Sequence, residues 1–340
     1  MNAWLNILVL PAAAALPAFA AGPYSDAADD PGNAYDPPVP GFVGPGGDGL
    51  NVPENSLNPR FVAWASSVVS YLPADGVDPV WADAAKALGP VTGDQFDVVS
   101  LGERAAAALD AGQPPGSITL GFTRDIADAP GADFAVFENG FHSYVELAFV
   151  EVSTDGSTFA RFPARCLTAA PVGAYGTQDP TELFDLAGKH MNNNGDTWGT
   201  PFDLARLAGH PAVLAGTVDL RRIRYVRLVD IPGRGDFKDS TGAPVYDVWP
   251  TFGSGGFDLE AVGVIHPREE LVAGTPADGL LPLWCESSPH RSYQLASVGV
   301  TVTGTRAPVG GPVTGTGGIL HWSVPDAGPK FYRLDVTEAP

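Results

Sequence analysis

Cysteine is almost absent from this chain, with only Cys166 and Cys285 among 340 residues. Neither stands in a CxxC pair, which sets aside thiol redox chemistry and cysteine-based zinc sites. In an oxidising compartment the two are candidates for a disulfide, and otherwise they serve as small buried apolar residues. Basic residues are scarce as well: 19 Lys and Arg face 39 Asp and Glu, for a formal charge of −20, and most of the excess lies before residue 267. Such a surface repels nucleic acid and anionic lipid, and it suits either solubility or divalent cations. After residue 20 no apolar run approaches the roughly 18 residues of a membrane-spanning helix. No GxSxG, HExxH, Walker or GxGxxG element occurs in a context that would support hydrolase, protease or nucleotide chemistry.

What is abundant is glycine and proline, 41 and 33 residues, set in a chain that is 44% hydrophobic. That combination fits short strands joined by many turns, so an all-β fold is expected. Residues 1–20 carry no charge and end in Ala18-Phe19-Ala20. This small-x-small ending reads as a signal-peptide cleavage site and places the mature protein outside the cytoplasm, secreted or at the cell surface. Residues 21–60 read as a loop-rich arm.

The clearest strand signals lie between residues 131 and 162. Residues 134–137 are uniformly apolar, residues 144–152 are apolar on both faces, and Asp155-Gly156 supplies a hairpin turn, which together predict two or three strands of one buried sheet. Residues 61–72 read as a strand. Residues 98–101 and 118–122 read as adjacent strands with a short alanine-rich helix, 104–112, inserted between them. A loop-rich stretch follows from 168 to 214, and residues 221–231 and 256–265 resume and close the sheet. Past residue 266 the composition shifts to Thr, Ser and Gly, and strands at 281–286, 292–298, 318–324 and 330–336 predict a separate small β-sandwich module over 267–340.

Taken in order, ALGPVTGD, DVVSLG, GSITLGF, FVEVSTDGSTFARF, RYVRLVDI and FDLEAVGVI resemble the strand sequence of galactose-binding-like, discoidin-type jelly rolls. The longer motifs DFAVFENGF, GTPFDLA and GSGGFDLEAVGVI resemble a family of bacterial secreted "cell surface proteins", many of which carry C-terminal sorting signals. The resemblance covers most of residues 21–265 and implies a jelly-roll β-sandwich with long loop insertions over 61–266. It also implies a structural calcium ion and loops presented to glycans. The C-terminal apolar helix and basic tail of a sorting anchor are missing.

Candidate site residues follow from oxygen-rich loops. Calcium takes roughly six to eight oxygen ligands, and the acidic loop between residues 230 and 258 offers Asp236, Asp239, Asp247 and Asp258, with Glu260 just beyond. Glu138 ends an apolar strand and is a fifth candidate ligand. Glu138, Asn139, His142 and His190 are candidates for contacting a bound molecule, the two histidines also for copper or zinc. A surface copper protein of the oxidised-tryptophan type is disfavoured, because its WxW pattern is absent. Glu146 and Glu151, five positions apart on one strand, point to opposite faces and read as structural rather than as a glycosidase pair. Arg234-Gly235-Asp236 spells an adhesion tripeptide that recurs by chance.

The leading expectation is an exported, non-enzymatic binding protein, a calcium-supported jelly roll whose partner is a glycan or another component of the cell envelope. The alternatives are an extracellular carbohydrate-active hydrolase, with Glu138, Asp236 or Asp247 converging across loops, and a purely structural envelope protein.

Overall fold

The computed structural model describes residues 38–45, 49–140, 144–190, 192–289, 291–298, 306–326 and 331–338. The expected signal peptide, the first part of the arm and His142 lie outside them. The described chain is mostly strand with little helix, as the glycine and proline content and the alternating apolar pattern require.

Two six-stranded sheets make the main body. The first runs Val39–Pro40, Trp198–Phe202, Phe134–Glu138, Asp258–Val264 and Ala63–Trp64, with Val99–Ser100 also paired to Asp258–Val264. The second runs Ala160–Arg161, Ala148–Ser153, Ile223–Asp230, Ser117–Ile126 and Ser67–Leu72, with Leu186–Ala187 beside Ala148–Ser153. The strands Phe134–Glu138, Ala148–Ser153 and Asp258–Val264 are buried at every residue. Each has a strand on both sides and apolar neighbours on both faces, and this explains why, apart from their end residues and Glu151 and Glu260, they are apolar.

One apolar cluster draws on both sheets. Phe134, Val136, Leu259 and Val262 of the first meet Ile118, Leu120, Val150 and Leu228 of the second. At its centre Phe134 stacks on Phe202 with centroids 5.3 Å apart, and Phe162 meets both rings edge-on at 5.9 and 4.9 Å. The hairpin at Asp155-Gly156 forms as its sequence predicts. Gly156 takes φ +78°, and the Asp155 carboxylate accepts the Ser157 and Thr158 N–H groups at 2.8 Å.

Three expectations about arrangement are corrected. The strands Phe134–Glu138 and Ala148–Ser153 belong to different sheets, not to one. Val99–Ser100 and Ser117–Ile126 are not neighbours either, because the first pairs with Asp258–Val264 and the second with Ser67–Leu72 and Ile223–Asp230. The stretch 168–214, expected as loop, contains the interior strand Trp198–Phe202. Its sequence, WGTPF, holds a glycine and a proline, which mask the strand pattern. A Cβ on Gly199 would lie 2.7 Å from the Phe137 ring, so close packing demands glycine there.

Past residue 266 the chain forms its own sheets, Val272–Ala273, Leu280–Glu286 and Ile319–Pro325 in one, Arg306–Pro308, Arg291–Val298, Val313–Thr314 and Phe331–Glu338 in the other. Leu283, Leu295 and Val324 form a small apolar cluster between them. Arg124 of the main body reaches Glu269 at 3.6 Å and Glu286 at 3.4 Å. Cys166 and Cys285 are both free and buried.

Phe134→Ala opens a cavity at the three-ring centre and is expected to lower the unfolding free energy by about 3–5 kcal/mol in a denaturant titration. Phe252→Ala, at an exposed loop position, is expected to change it by no more than about 0.5 kcal/mol. Equal effects would contradict the placement of the core.

Candidate cation and ligand site

Six carboxylates meet at one end of the two sheets, and each gets there because a strand begins or stops beside it. Glu138 ends one strand, and Asp258 opens its neighbour opposite Ser100. Glu103 follows Val99–Ser100 after a turn at Gly102, φ +76°. In the other sheet Asp230 ends Ile223–Asp230 opposite Ala148, which opens the next strand, and Glu146 stands just before that strand. Asp247 comes from the loop after Pro244–Tyr246 and accepts the Leu147 N–H at 2.5 Å.

Backbone donors orient the group and tie the two sheets together. The Phe257 N–H donates to Asp230 Oδ1 and the Gly256 N–H to Glu146 Oε1, both at 2.9 Å. The Gly140 N–H donates to Glu138 Oε2 at 2.8 Å, and the Thr251 hydroxyl to Glu103 Oε2 at 3.0 Å. Gly256 has to be glycine. Its φ is +80°, and a Cβ would lie 2.7 Å from the Gly102 backbone and 2.9 Å from Asp230 Oδ1.

The opposite oxygens lack a hydrogen bond of ordinary geometry, although the Trp249 indole faces Glu103 and the Ser100 and Ser254 hydroxyls face Asp258. Glu103 Oε1, Glu138 Oε1, Asp230 Oδ2, Asp247 Oδ1 and Asp258 Oδ1 are all buried and without a hydrogen bond. Most buried polar groups are satisfied, and a buried carboxylate left without a donor or a cation is costly. Burial lifts Glu103 to about 9, Asp258 to about 8 and Asp230 to about 7, with Asp230 adding its repulsion at the first two. Burial, and then the charges of their acidic neighbours, raise Glu138, Glu146 and Asp247 well above the ordinary carboxylate range. Arg104 offsets part of the effect at Asp230. Its guanidinium is bonded to Asp75, to Gln113 and to the Pro114 carbonyl.

A set of neighbouring acids with buried, unpartnered oxygens attracts a hard divalent cation, which takes oxygen ligands. Above it lies a cleft of about 590 Å³ whose floor includes Glu146, Asp258 and Asn139. Its walls carry five aromatic rings, from Trp81, Phe96, Tyr144, Tyr175 and Phe252. Trp81 and Phe96 stack at 6.0 Å, while Tyr175 and Phe252 are 88% and 79% exposed, so their faces are open to a bound molecule.

The structure sorts the candidates read from the sequence. Glu138, Asp247 and Asp258 come together, and Asn139 lines the cleft beside them. Asp236 does not join: it is exposed and paired with Arg234. Asp239 does not join either. Its oxygens accept the Cys166, Thr241 and Ala243 N–H groups and the Thr241 hydroxyl, so its role is to hold a turn. His190 is buried and is absent from the cleft wall. Glu260 staples loops, accepting the Thr92 N–H at 2.5 Å, the Thr92 hydroxyl at 2.6 Å and the Gly93 N–H at 2.9 Å, and bonding Asn192. Glu151 is structural as expected, paired with Arg161 at 2.7 Å and Arg227 at 2.5 Å.

Sequence reasoning missed Glu103, Glu146 and Asp230. Glu146, read from the sequence as structural and on the same strand as Glu151, stands just before that strand, accepts the Gly256 N–H and lines the cleft. At Asp230 the missed signal is a carboxylate that closes the strand IRYVRLVD in register with buried Val226 and Leu228. Among the described residues, the one group of three carboxylates with oxygens all within 4.8 Å of one another lies elsewhere, at Asp128, Asp133 and Asp203. Buried Asp133 accepts the Ala129 and Leu204 N–H groups at 3.0 and 2.7 Å and pairs with His266 at 2.8 Å.

No protein-family model matches the chain, and no curated protein and no solved structure matches it.

Because the carboxyl pKa values are raised on folding, the metal-free native chain holds protons that the unfolded chain releases. Stability then falls as pH rises from about 4 towards 9. Melting in chelator is expected at lower temperature at pH 8 than at pH 5. Calcium is expected to raise the pH 8 value most, since it binds the ionised form. A chelator-treated protein more stable at pH 8 than at pH 5 would contradict the uncompensated cluster.

Proposed function

We propose that this chain is an exported, non-enzymatic binding protein that holds calcium at the end of its paired sheets and takes a glycan of the cell envelope in the cleft above. The observation that carries this reading is the row of buried carboxylate oxygens without partners beneath a cleft walled by aromatic rings. A sugar offers what both parts recognise: its C–H faces stack on aromatic rings, and its hydroxyls bond carboxylates and amides or complete the shell of a bound calcium ion. Asn139, whose side-chain amide donates to the Gln95 carbonyl at 3.0 Å, keeps its own carbonyl oxygen for such a contact.

The finer architecture belongs to the same proposal. The two sheets are read as a galactose-binding-like jelly roll of the bacterial cell-surface type, with residues 267–340 as a separate β module. The strand motifs support this, as does the placement of the site at the strand ends. Export rests on the sequence of residues 1–20. For the hydrolase alternative, which draws on Glu138, Asp236 or Asp247, the Arg234 pair removes Asp236 and leaves Glu138 and Asp247.

The test is binding of envelope polysaccharide fragments by calorimetry, in calcium and in chelator. Binding is expected in calcium and lost in chelator, and Tyr175→Ala with Phe252→Ala is expected to weaken it at least tenfold while melting stays unchanged. Equal binding in chelator, or release of reducing sugar by the wild-type chain, would overturn the reading.

A further inference from the structure

We propose that the cleft continues past Phe96 into a second hollow, and that the groove they form together takes an internal stretch of an uncharged polysaccharide chain. The inference rests on the glycan reading above and adds to it the length and the charge of the glycan.

The second hollow, of about 340 Å³, is lined by Asn51 and by the loops at 92–96 and 194–195. Gln95 and Phe96 border both spaces. Each space alone falls in the size range of a small-ligand site, roughly 300–1,000 Å³. A molecule filling either one reaches Gln95 and Phe96, so the occupants of the two spaces meet over these residues. Phe96 is exposed and stacks on Trp81 of the cleft, which makes a ring platform at the junction.

The two spaces differ in chemistry in a way that suits successive units of one chain. The cleft offers aromatic rings, whereas the hollow offers the side-chain amides of Asn51, Gln95 and Asn194 and the Thr92 hydroxyl. Amides both donate to and accept from sugar hydroxyls. The walls of the hollow are held in place before a ligand arrives. The Gly195 N–H donates to the Gly93 carbonyl at 3.2 Å, the Asn51 N–H to the Gly195 carbonyl at 2.7 Å, and the Asn51 side-chain amide to the Thr92 carbonyl at 2.5 Å. Beneath them Glu260, bonded to Thr92, Gly93 and Asn192, positions both loops. Asn139 fastens the same loops to the cleft: its side-chain amide donates to the Gln95 carbonyl at 3.0 Å, and its carbonyl accepts from the Asn193 side-chain amide at 2.7 Å. A groove built this way loses little to ordering on binding.

Charge narrows the class of chain. Glu146 and Asp258 line the cleft and Asp94 the hollow, and among the described residues neither lining contains Lys or Arg. An anionic chain meets like charge along the whole groove, and an uncharged one does not. Once one unit sits in the cleft, the next is delivered to the hollow at high effective concentration, so affinity grows with chain length.

Calorimetric titration of the full chain in calcium, with gluco-, manno-, galacto- and xylo-oligosaccharides from about two to about eight units long, measures that growth directly. Within the series that binds, affinity is expected to rise at least about tenfold from the shortest to the longest member. Hyaluronate oligosaccharides, which are anionic, are expected to bind more weakly. The double variant Asn51→Ala with Asn194→Gly is expected to lose the gain with length while melting stays unchanged, since glycine suits the φ of +55° at Asn194. Phe96→Ala is expected to weaken short and long members alike. The length series needs no variant. Equal affinity at all lengths, a gain that survives in the double variant, or tighter binding of hyaluronate would overturn the groove and leave the glycan reading standing. Binding of none of these sugars at any length would overturn the glycan reading itself.

Discussion

Negative charge buried without positive charge is the constraint on which the rest of this structure depends. Six carboxylates stand where the apolar core of the two sheets ends, and five of their oxygens are buried without a partner. A protein interior does not support such a group alone. Either the carboxyls stay protonated, as their raised pKa values express, or a cation completes them. Other buried acids of this chain are completed by the chain itself: Glu151 by two arginines, Asp133 by two backbone donors and His266, Glu260 by Thr92, Gly93 and Asn192. The cluster at the strand ends differs because at Glu103, Glu138, Asp230 and Asp247 a donor serves one oxygen and the other makes no hydrogen bond.

The fold creates this arrangement through strand polarity. Glu138 and Asp230 end their strands, Asp258 begins one, and Glu146 precedes another, so antiparallel pairing delivers all four to the same end. Gly256 and Phe257 then cross between the sheets and donate to both halves. The loops that close this end also carry the aromatic walls, so anything that fixes the carboxylates fixes the cleft. Calcium binding, in this account, couples the order of the loops to the shape presented to a ligand.

Much of the strand content was legible in the sequence, because periodicity and turn residues are local signals. The strand at 134–138 follows from its apolar run, the strand at 258–264 from its β-type composition, and the strand at 223–230 and the four long strands after residue 279 from alternation. Sheet membership was not legible. Phe134–Glu138 and Ala148–Ser153 look like partners because they are close in the chain, yet each pairs with strands far away in sequence. The site shows the same split. Glu138, Asp247 and Asp258 were recognisable as oxygen ligands in unusual positions, but Asp236 and Asp239 were equally acidic and equally loop-bound. Only their partners, Arg234 for one and a closed turn for the other, remove them. Glu103 and Glu146 were hidden because nothing near them in sequence reveals that a strand more than a hundred residues later ends beside them.

A crystal structure of the calcium-saturated protein, with terbium replacing calcium for anomalous scattering, tests the central claim most directly. The account predicts anomalous density among the carboxylates at the strand ends, within about 2.3–2.6 Å of their free oxygens. A saturated crystal with no density between these carboxylates, and water or side-chain donors on their free oxygens instead, would contradict it.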